Sequence, residues 1–200
     1  MRLKLFDYYR SSASYRVRIA LNLKGLDYEF TPINILEGAQ KSPDYGTVNP
    51  QRFVPVLEVD GRRLTQSLAI IDYLDAMHPD PKLVPHDPEE RAHVLAMALT
   101  VACDIHPINN LRVLKYLKGP LGQDETVKEG WIRHWIGEGF VALEAMAGSH
   151  AGRFLFGDTP TLADICLVPQ MYNARRVRVP LAGFPVLVPA AADATRLHAF

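Results

Sequence analysis

The apolar pattern of this chain changes its period once, and the change falls at a pair of proline breaks, His78-Pro79-Asp80-Pro81 and Pro85-His86-Asp87-Pro88. Ahead of them, short runs rich in Val, Ile, Leu and Phe alternate with segments of 3.6-residue periodicity; behind them strand signals fade and helical periodicity remains. Clustered prolines between segments of unlike character mark a linker. The chain therefore reads as two domains of different class, residues 1–82 and 89–200, joined by a linker at 83–88. With 200 residues and 48% hydrophobic content there is enough apolar material for a core.

In the first segment, Leu3–Phe6 predicts a strand and Tyr15–Lys24 a helix, whose apolar residues Val17, Ile19, Ala20 and Leu21 stop at Lys24-Gly25. Tyr28–Ile33 predicts a second strand. The polar stretch Glu37–Gln51, punctuated by Gly38, Pro43, Gly46 and Pro50, predicts an irregular loop with at most a short helix. Val54–Val59 and Arg63–Thr65 then read as strands joined by an Asp60-Gly61 hairpin turn, and Leu68, Ile70, Ile71, Leu74 and Met77 lay down a helix. The order βαβ(α)ββα implies a small α/β domain with a mixed sheet. Pro55 has no N–H for a ladder, so it belongs at an edge or a special turn.

In the second segment, helices are predicted over Glu89–Asn110, Glu125–Gly148 and Leu162–Arg175, with loops at Gly119–Gly122 and Gly148–Gly157, which makes an all-α bundle. Thr161 and Asp164 have the spacing of a capping box at the start of the third helix, a structural role.

Composition narrows the function classes. Lys plus Arg and Asp plus Glu both total 22, so nothing in the charge balance calls for nucleic acid, although a local basic pocket can hide in a neutral total. No apolar run approaches the roughly 20 residues that span a bilayer, and the N-terminus is a charged strand, so no membrane partner is expected. Cys103 and Cys166 are far apart, lack metal-ligand spacing and lie in apolar helical contexts. Both are expected to be packed, with no metal site and a reducing, cytoplasmic setting.

Four places hold residues suited to chemistry. Ser11, Ser12 and Ser14 sit between the first strand and the first helix. Any of them can cap that helix, and its first turn also favours an anion. Gln66-Ser67 occupies a second strand-to-helix turn with the same properties. His106-Pro107-Ile108-Asn109-Asn110 puts polar groups beside a helix-breaking proline, where a ligand explains paired asparagines better than core packing does. In the run Gln170–Val177, Arg176 offers a planar fork for a carboxylate.

The run Arg10-Ser-Ser-Ala-Ser-Tyr-Arg-Val-Arg-Ile-Ala-Leu21 resembles the signature of the zeta-class glutathione transferases, usually written Ser-Ser-Cys-Ser-Trp-Arg-Val-Arg-Ile-Ala-Leu, with Ala13 and Tyr15 in place of Cys and Trp. The resemblance implies a thioredoxin-like N-terminal domain that binds glutathione, followed by a helical substrate-binding domain. It implies that Ser11, helped by Ser12, holds the glutathione thiolate, and that Gln66 and Ser67 receive the γ-glutamyl carboxylate. Gln40 matches a glutathione-contacting position. Val54, before a cis Val54–Pro55 bond, would pair its backbone with the peptide by strand addition. His106-Pro107-Ile108-Asn109-Asn110 resembles the bacterial isomerases of the class, so that His106, Asn110 and Arg112 become contacts to glutathione or substrate. Arg176 aligns with an arginine that binds a substrate carboxylate, and Arg10 and Arg112 are further partners for such groups. Val177 and Pro180 depart from the usual Arg-Phe-x-Val-Asp-Leu pattern there.

The activity so implied is glutathione-dependent cis–trans isomerisation of a small dicarboxylate, maleylacetoacetate to fumarylacetoacetate, by a homodimer. Ala13 rules out a protein cysteine nucleophile at its position. Maleylpyruvate as substrate, a general transferase activity and a non-catalytic binding protein of the same fold are the alternatives.

Overall fold

The computed structural model describes every residue from Met1 to Phe200, in two compact units, Met1–Leu83 with Ala199 and Val84–His198 with Phe200.

In the first unit, β1 (Leu3–Asp7) pairs parallel with β2 (Glu29–Pro32) and antiparallel with β3 (Val56–Val59). β3 pairs antiparallel with β4 (Arg62–Thr65), giving the order β2-β1-β3-β4. A parallel pair needs a crossover, and α1 (Ser12–Leu23) provides it. An antiparallel pair needs only a tight turn, and Asp60 and Gly61, at φ 47° and 84°, make one. α3 (Ser67–Met77) packs on α1, and Val17, Ile19, Leu21, Ile70, Ile71 and Leu74 join Leu5 and Leu57 of the sheet in a fully buried core. The mixed βαβ(α)ββα sheet is as expected. β3, however, begins at Val56 rather than Val54, because Pro55 has no N–H to donate to the ladder. The polar stretch between β2 and β3 holds a 3-10 turn (Ala39–Lys41) and the short α2 (Pro43–Val48), capped by Ser42. Burial pushes the Tyr45 phenol far up, and its hydroxyl donates to the Phe53 carbonyl at 2.7 Å. Near the end of the unit, Asp75 accepts from Lys24 Nζ (2.7 Å), Lys82 Nζ (2.9 Å) and the Leu83 N–H (2.9 Å).

The second unit is built of helices joined by loops, with one isolated β-bridge between Ala151 and Gly157. α4 (Pro88–Leu99) starts at Asp87, whose side chain accepts from the N–H groups of Glu89 and Glu90. It runs on through a π-helical turn (Thr100–Ile105) and a 3-10 turn (Pro107–Asn109) into α5 (Leu111–Lys118). The continuous helix expected to Asn110 is thus broken. The His106 N–H reaches back five residues, to the Val101 carbonyl at 2.9 Å, just before a proline that has no N–H of its own. The run Pro88–Lys118 contains an 18-residue window of mean hydropathy 1.3, which corrects the expectation that no apolar stretch approaches spanning length. Its Val94, Met97, Ala98, Val101 and Ile105 are buried in the unit, where α4 packs on the later helix Leu162–Arg176.

α6 (Glu125–Ala147), capped by Asp124, is followed by α7 (Leu162–Arg176) and α8 (Leu187–Ala194). Leu162 through Met171 of α7 are all buried, as befits the central helix of a bundle. Thr161 and Asp164 form the expected capping box. α5 and α8 are additions to the three predicted helices. α8 starts without a capping side chain of its own; instead the Glu144 carboxylate of α6 accepts from the N–H groups of Val186 (2.7 Å) and Leu187 (3.0 Å). Cys166 is buried as expected. Cys103 is exposed, because it stands with Asp104 on the outer side of the π-helical turn.

Candidate active site

Ser11 is the cap of α1. Its Oγ accepts the Ser14 N–H at 3.2 Å, its own N–H donates to the Tyr8 carbonyl at 2.8 Å, and the residue is half-buried. With one lone pair used as cap, the hydroxyl keeps its proton to donate elsewhere. Ser12, the first helical residue, is also half-buried, and Arg10 just ahead is exposed. The first turn of α1 contains no acidic side chain, so nothing in it offsets the positive end of the helix.

The second strand-to-helix turn is differently built. Gln66 holds φ 68° and ψ 114°, an uncommon backbone conformation for a non-glycine residue, and it gives α3 no side-chain cap. Its exposed amide donates instead to Gln51 Oε1 at 2.8 Å. The first-turn N–H groups of α3 are therefore left for a ligand or for solvent. An observed backbone outlier at an uncapped helix start is the kind of strain that collects at ligand-binding sites. Ser67, the first residue of α3, is 6% exposed, and its Oγ accepts from Arg16 Nη1 at 3.3 Å.

Val54 lies outside β3, half-buried, and neither its N–H nor its C=O bonds to another group of the chain. The Val54–Pro55 bond is cis. Gln40 lies in the 3-10 turn after β2; its amide donates to the Ile35 carbonyl at 3.5 Å, while its buried Oε1 has no partner. Ser11 and Gln66-Ser67 thus open two helices that pack on each other within the first unit, linked through Arg16.

The remaining predicted residues belong to the second unit. Half-buried His106 ends the π-helical turn. Asn110 Oδ1 caps α5 by accepting the Arg112 N–H at 3.1 Å, a bond that does not use the side-chain NH2. Arg112 is exposed in the first turn of α5. Arg176 is exposed at the end of α7, with Nη2 3.5 Å from Asn173 Oδ1. No group of His, Cys, Asp and Glu suited to a metal ion occurs.

Sequence reasoning passed over Arg16 and Gln51. Gln51 left no local signal. Arg16 did leave one, a charge one helical turn ahead of Ala20 on the apolar side of α1.

Two family models match the chain: the glutathione S-transferase N-terminal domain over residues 5–82, and the glutathione S-transferase C-terminal domain over residues 130–200. A maleylacetoacetate isomerase of Rhizobium meliloti (strain 1021) is 50% identical over 185 residues, spanning 92% of this chain and 87% of that protein.

The chain belongs to the glutathione S-transferase family.

Among solved structures of that family, the holo form of a maleyl pyruvate isomerase, a bacterial glutathione S-transferase of the zeta class, superposes with a TM-score of 0.96. It is 43% identical, and the match covers 98% of this chain and 93% of that one. A maleylacetoacetate isomerase from Anaeromyxobacter dehalogenans 2CP-1, solved with glutathione in its active site, is 40% identical with a TM-score of 0.88, covering 99% and 92%. As a glutathione S-transferase of this kind, the chain has the family's mixed four-stranded sheet and helical second unit, the fold class read from its sequence.

Proposed function

We propose that this glutathione S-transferase is a glutathione-dependent cis–trans isomerase of maleylacetoacetate. The chain's own groups suit glutathione. Val54 has two unspent backbone groups for a cysteinyl residue, and α3 begins uncapped at Gln66-Ser67, where a γ-glutamyl carboxylate would meet free N–H groups. Gln40 has an unmatched buried Oε1 to offer. Bound there, glutathione supplies a nucleophilic sulfur that adds to a conjugated alkene and leaves again, so that the bond between can rotate.

The protein's part is to hold and tune. Ser11, already anchored as the cap of α1, donates its O–H to the sulfur anion; Ser12 and the helix N-terminus add donors that lower a thiol's pKa. Val54 fixes the peptide backbone. Arg10, Arg112 and Arg176 bind the dicarboxylate substrate, and the negative charge that develops on its carbonyl end is stabilised by the same cations, Arg176 foremost. His106 and Asn110 contact glutathione. In this reading, residues 1–82 bind glutathione, 83–88 are the linker and 89–200 bind substrate. The enzyme works as a cytoplasmic homodimer, with no metal.

The observation that supports this most directly is the pair of helix starts in the first unit, Ser11 and Gln66-Ser67, in a chain 50% identical to an enzyme of that name. Maleylpyruvate is the second reading, favoured by the TM-score of 0.96 to a maleyl pyruvate isomerase. The test is turnover of both substrates side by side, with and without glutathione. Faster maleylacetoacetate turnover that vanishes without glutathione supports the proposal; faster maleylpyruvate turnover supports the second reading. Turnover undiminished by removal of glutathione overturns both.

A further inference from the structure

Helix α1 carries two arginines two positions apart, and they have opposite fates. Arg18 is partly exposed and neutralised, with Nη1 2.5 Å from Asp7 Oδ2 and Nη2 3.1 Å from the Tyr9 carbonyl. Arg16 is 2% exposed and has no carboxylate. Its one bond is from Nη1 to Ser67 Oγ, at 3.3 Å, while Nε and Nη2 are buried without partners. A buried charge is ordinarily paired, because the loss of hydration is costly. Arg16 is also near the start of α1 and against the first residue of α3, ends that carry partial positive charge themselves. No ion pair to Arg16 offsets this positive charge; its one partner, Ser67, is neutral.

The bond to Ser67 shows where a balancing anion would sit. A serine hydroxyl has one proton and two lone pairs. With a lone pair of Ser67 engaged by the guanidinium, the proton is left to point at an acceptor, and charge-assisted donation from Arg16 makes it a better donor. The Ser67 N–H, at the uncapped start of α3, offers a second donor.

We propose that Arg16 is a positioning residue for glutathione: a buried countercharge which, through Ser67, makes the Gln66-Ser67 turn select a carboxylate over a neutral group at the γ-glutamyl end of the peptide. The inference rests on the glutathione-dependent reading above. It adds that the selectivity comes from a side chain that does not touch the ligand.

Binding of two peptides to the full-length protein, followed by calorimetry, tests it. One peptide is glutathione; the other is its analogue lacking only the α-carboxylate of the γ-glutamyl residue. In the wild type, glutathione binds at least tenfold more tightly than the analogue. Arg16→Met, apolar and of similar length, reduces that preference to less than threefold by weakening glutathione alone. It also raises the melting temperature of the unliganded protein, because an unpaired buried charge has been removed. Arg16→Lys, which keeps the charge but loses the fork, restores part of the preference. If Arg16→Met weakens both peptides equally, weakens neither, or lowers the unliganded melting temperature, the residue is merely structural and the inference fails while the glutathione reading stands. If Arg16→Met does not fold, the inference fails too, since that outcome shows the guanidinium to be stabilising in the absence of ligand. A wild type that binds neither peptide removes the glutathione reading itself.

Discussion

Asp164 closes on Thr161 through both its hydroxyl and its backbone: Oδ2 accepts the Thr161 N–H at 2.8 Å and the Thr161 Oγ1–H at 3.1 Å, while Oδ1 accepts the Leu155 N–H at 2.9 Å. The carboxylate is 1% exposed, and burial pushes its pKa up to about 6 despite these donors. Asparagine can present one oxygen, but its NH2 accepts nothing from the donors on the other side, where a carboxyl oxygen still accepts even when protonated. Asp164→Asn should therefore destabilise the protein by about 1–3 kcal/mol. The loss depends on pH. Because the folded value lies above the unfolded one near 3.8, Asp164 contributes most when protonated, and its contribution falls as pH rises from about 4 to about 6. Denaturant unfolding at pH 4 and pH 7 should show a larger gap between wild type and variant at pH 4.

Asp75 titrates in the opposite sense. Burial pushes its carboxyl up, but Lys24, the Leu83 N–H and Lys82 together hold it below the usual range. Its stabilising contribution is then present above the unfolded value of 3.8 and is lost as pH falls through the lower, folded value. The Lys24 side chain is 0% exposed, so Asp75→Asn leaves a buried ammonium without its anion. We expect a loss of about 3–5 kcal/mol at pH 7 that shrinks on acidification, measured by urea unfolding of the two proteins.

Gly139 of α6 faces Ile105 so closely that a Cβ there would lie 2.3 Å from Ile105 Cδ1. Gly139→Ala should cost about 1–3 kcal/mol. A Cβ would also lie 2.3 Å from Ile105 Cγ1, so in a double variant with Ile105→Ala, which removes both obstructing atoms, the Gly139→Ala loss should be smaller than in the wild-type background; additive melting-temperature losses would count against the contact.

Ser11→Ala removes the cap of α1 and, in the proposed mechanism, the hydroxyl that meets the sulfur. The cap alone is worth about 1 kcal/mol, so circular dichroism should report an intact fold. Isomerase turnover should drop at least tenfold, with the pKa of the bound thiol raised. Unchanged turnover would move the thiolate-stabilising role to another residue.

Arg176→Gln keeps length and hydrogen-bonding capacity but loses the charge. Its KM for the dicarboxylate should rise by tenfold or more, equivalent to about 1.5–3 kcal/mol for a charged hydrogen bond, with the KM for glutathione unchanged. A rise in both constants would mean that Arg176 serves the fold or the glutathione site instead.

What the sequence determined by itself was whatever nearest neighbours decide: element order, the break between α/β and helical segments, the Thr161–Asp164 box and the serine turn ahead of α1. Periodicity, caps and turn residues act within a turn or two of chain, so they are visible without a fold. Boundaries were less legible, as at Val54–Pro55, where a strand pattern continues through a residue that cannot join a ladder. α5 and α8 were missed because they are short, and α8 is capped by a glutamate 42 residues away. Only the tertiary structure decided that Gln66 bonds to Gln51, that Cys103 faces outward and that Arg16 meets Ser67 across 51 residues without a carboxylate. Each depends on which distant elements pack together and on what that packing leaves buried, and desolvation of a charge cannot be read until the surfaces that exclude water from it are in place.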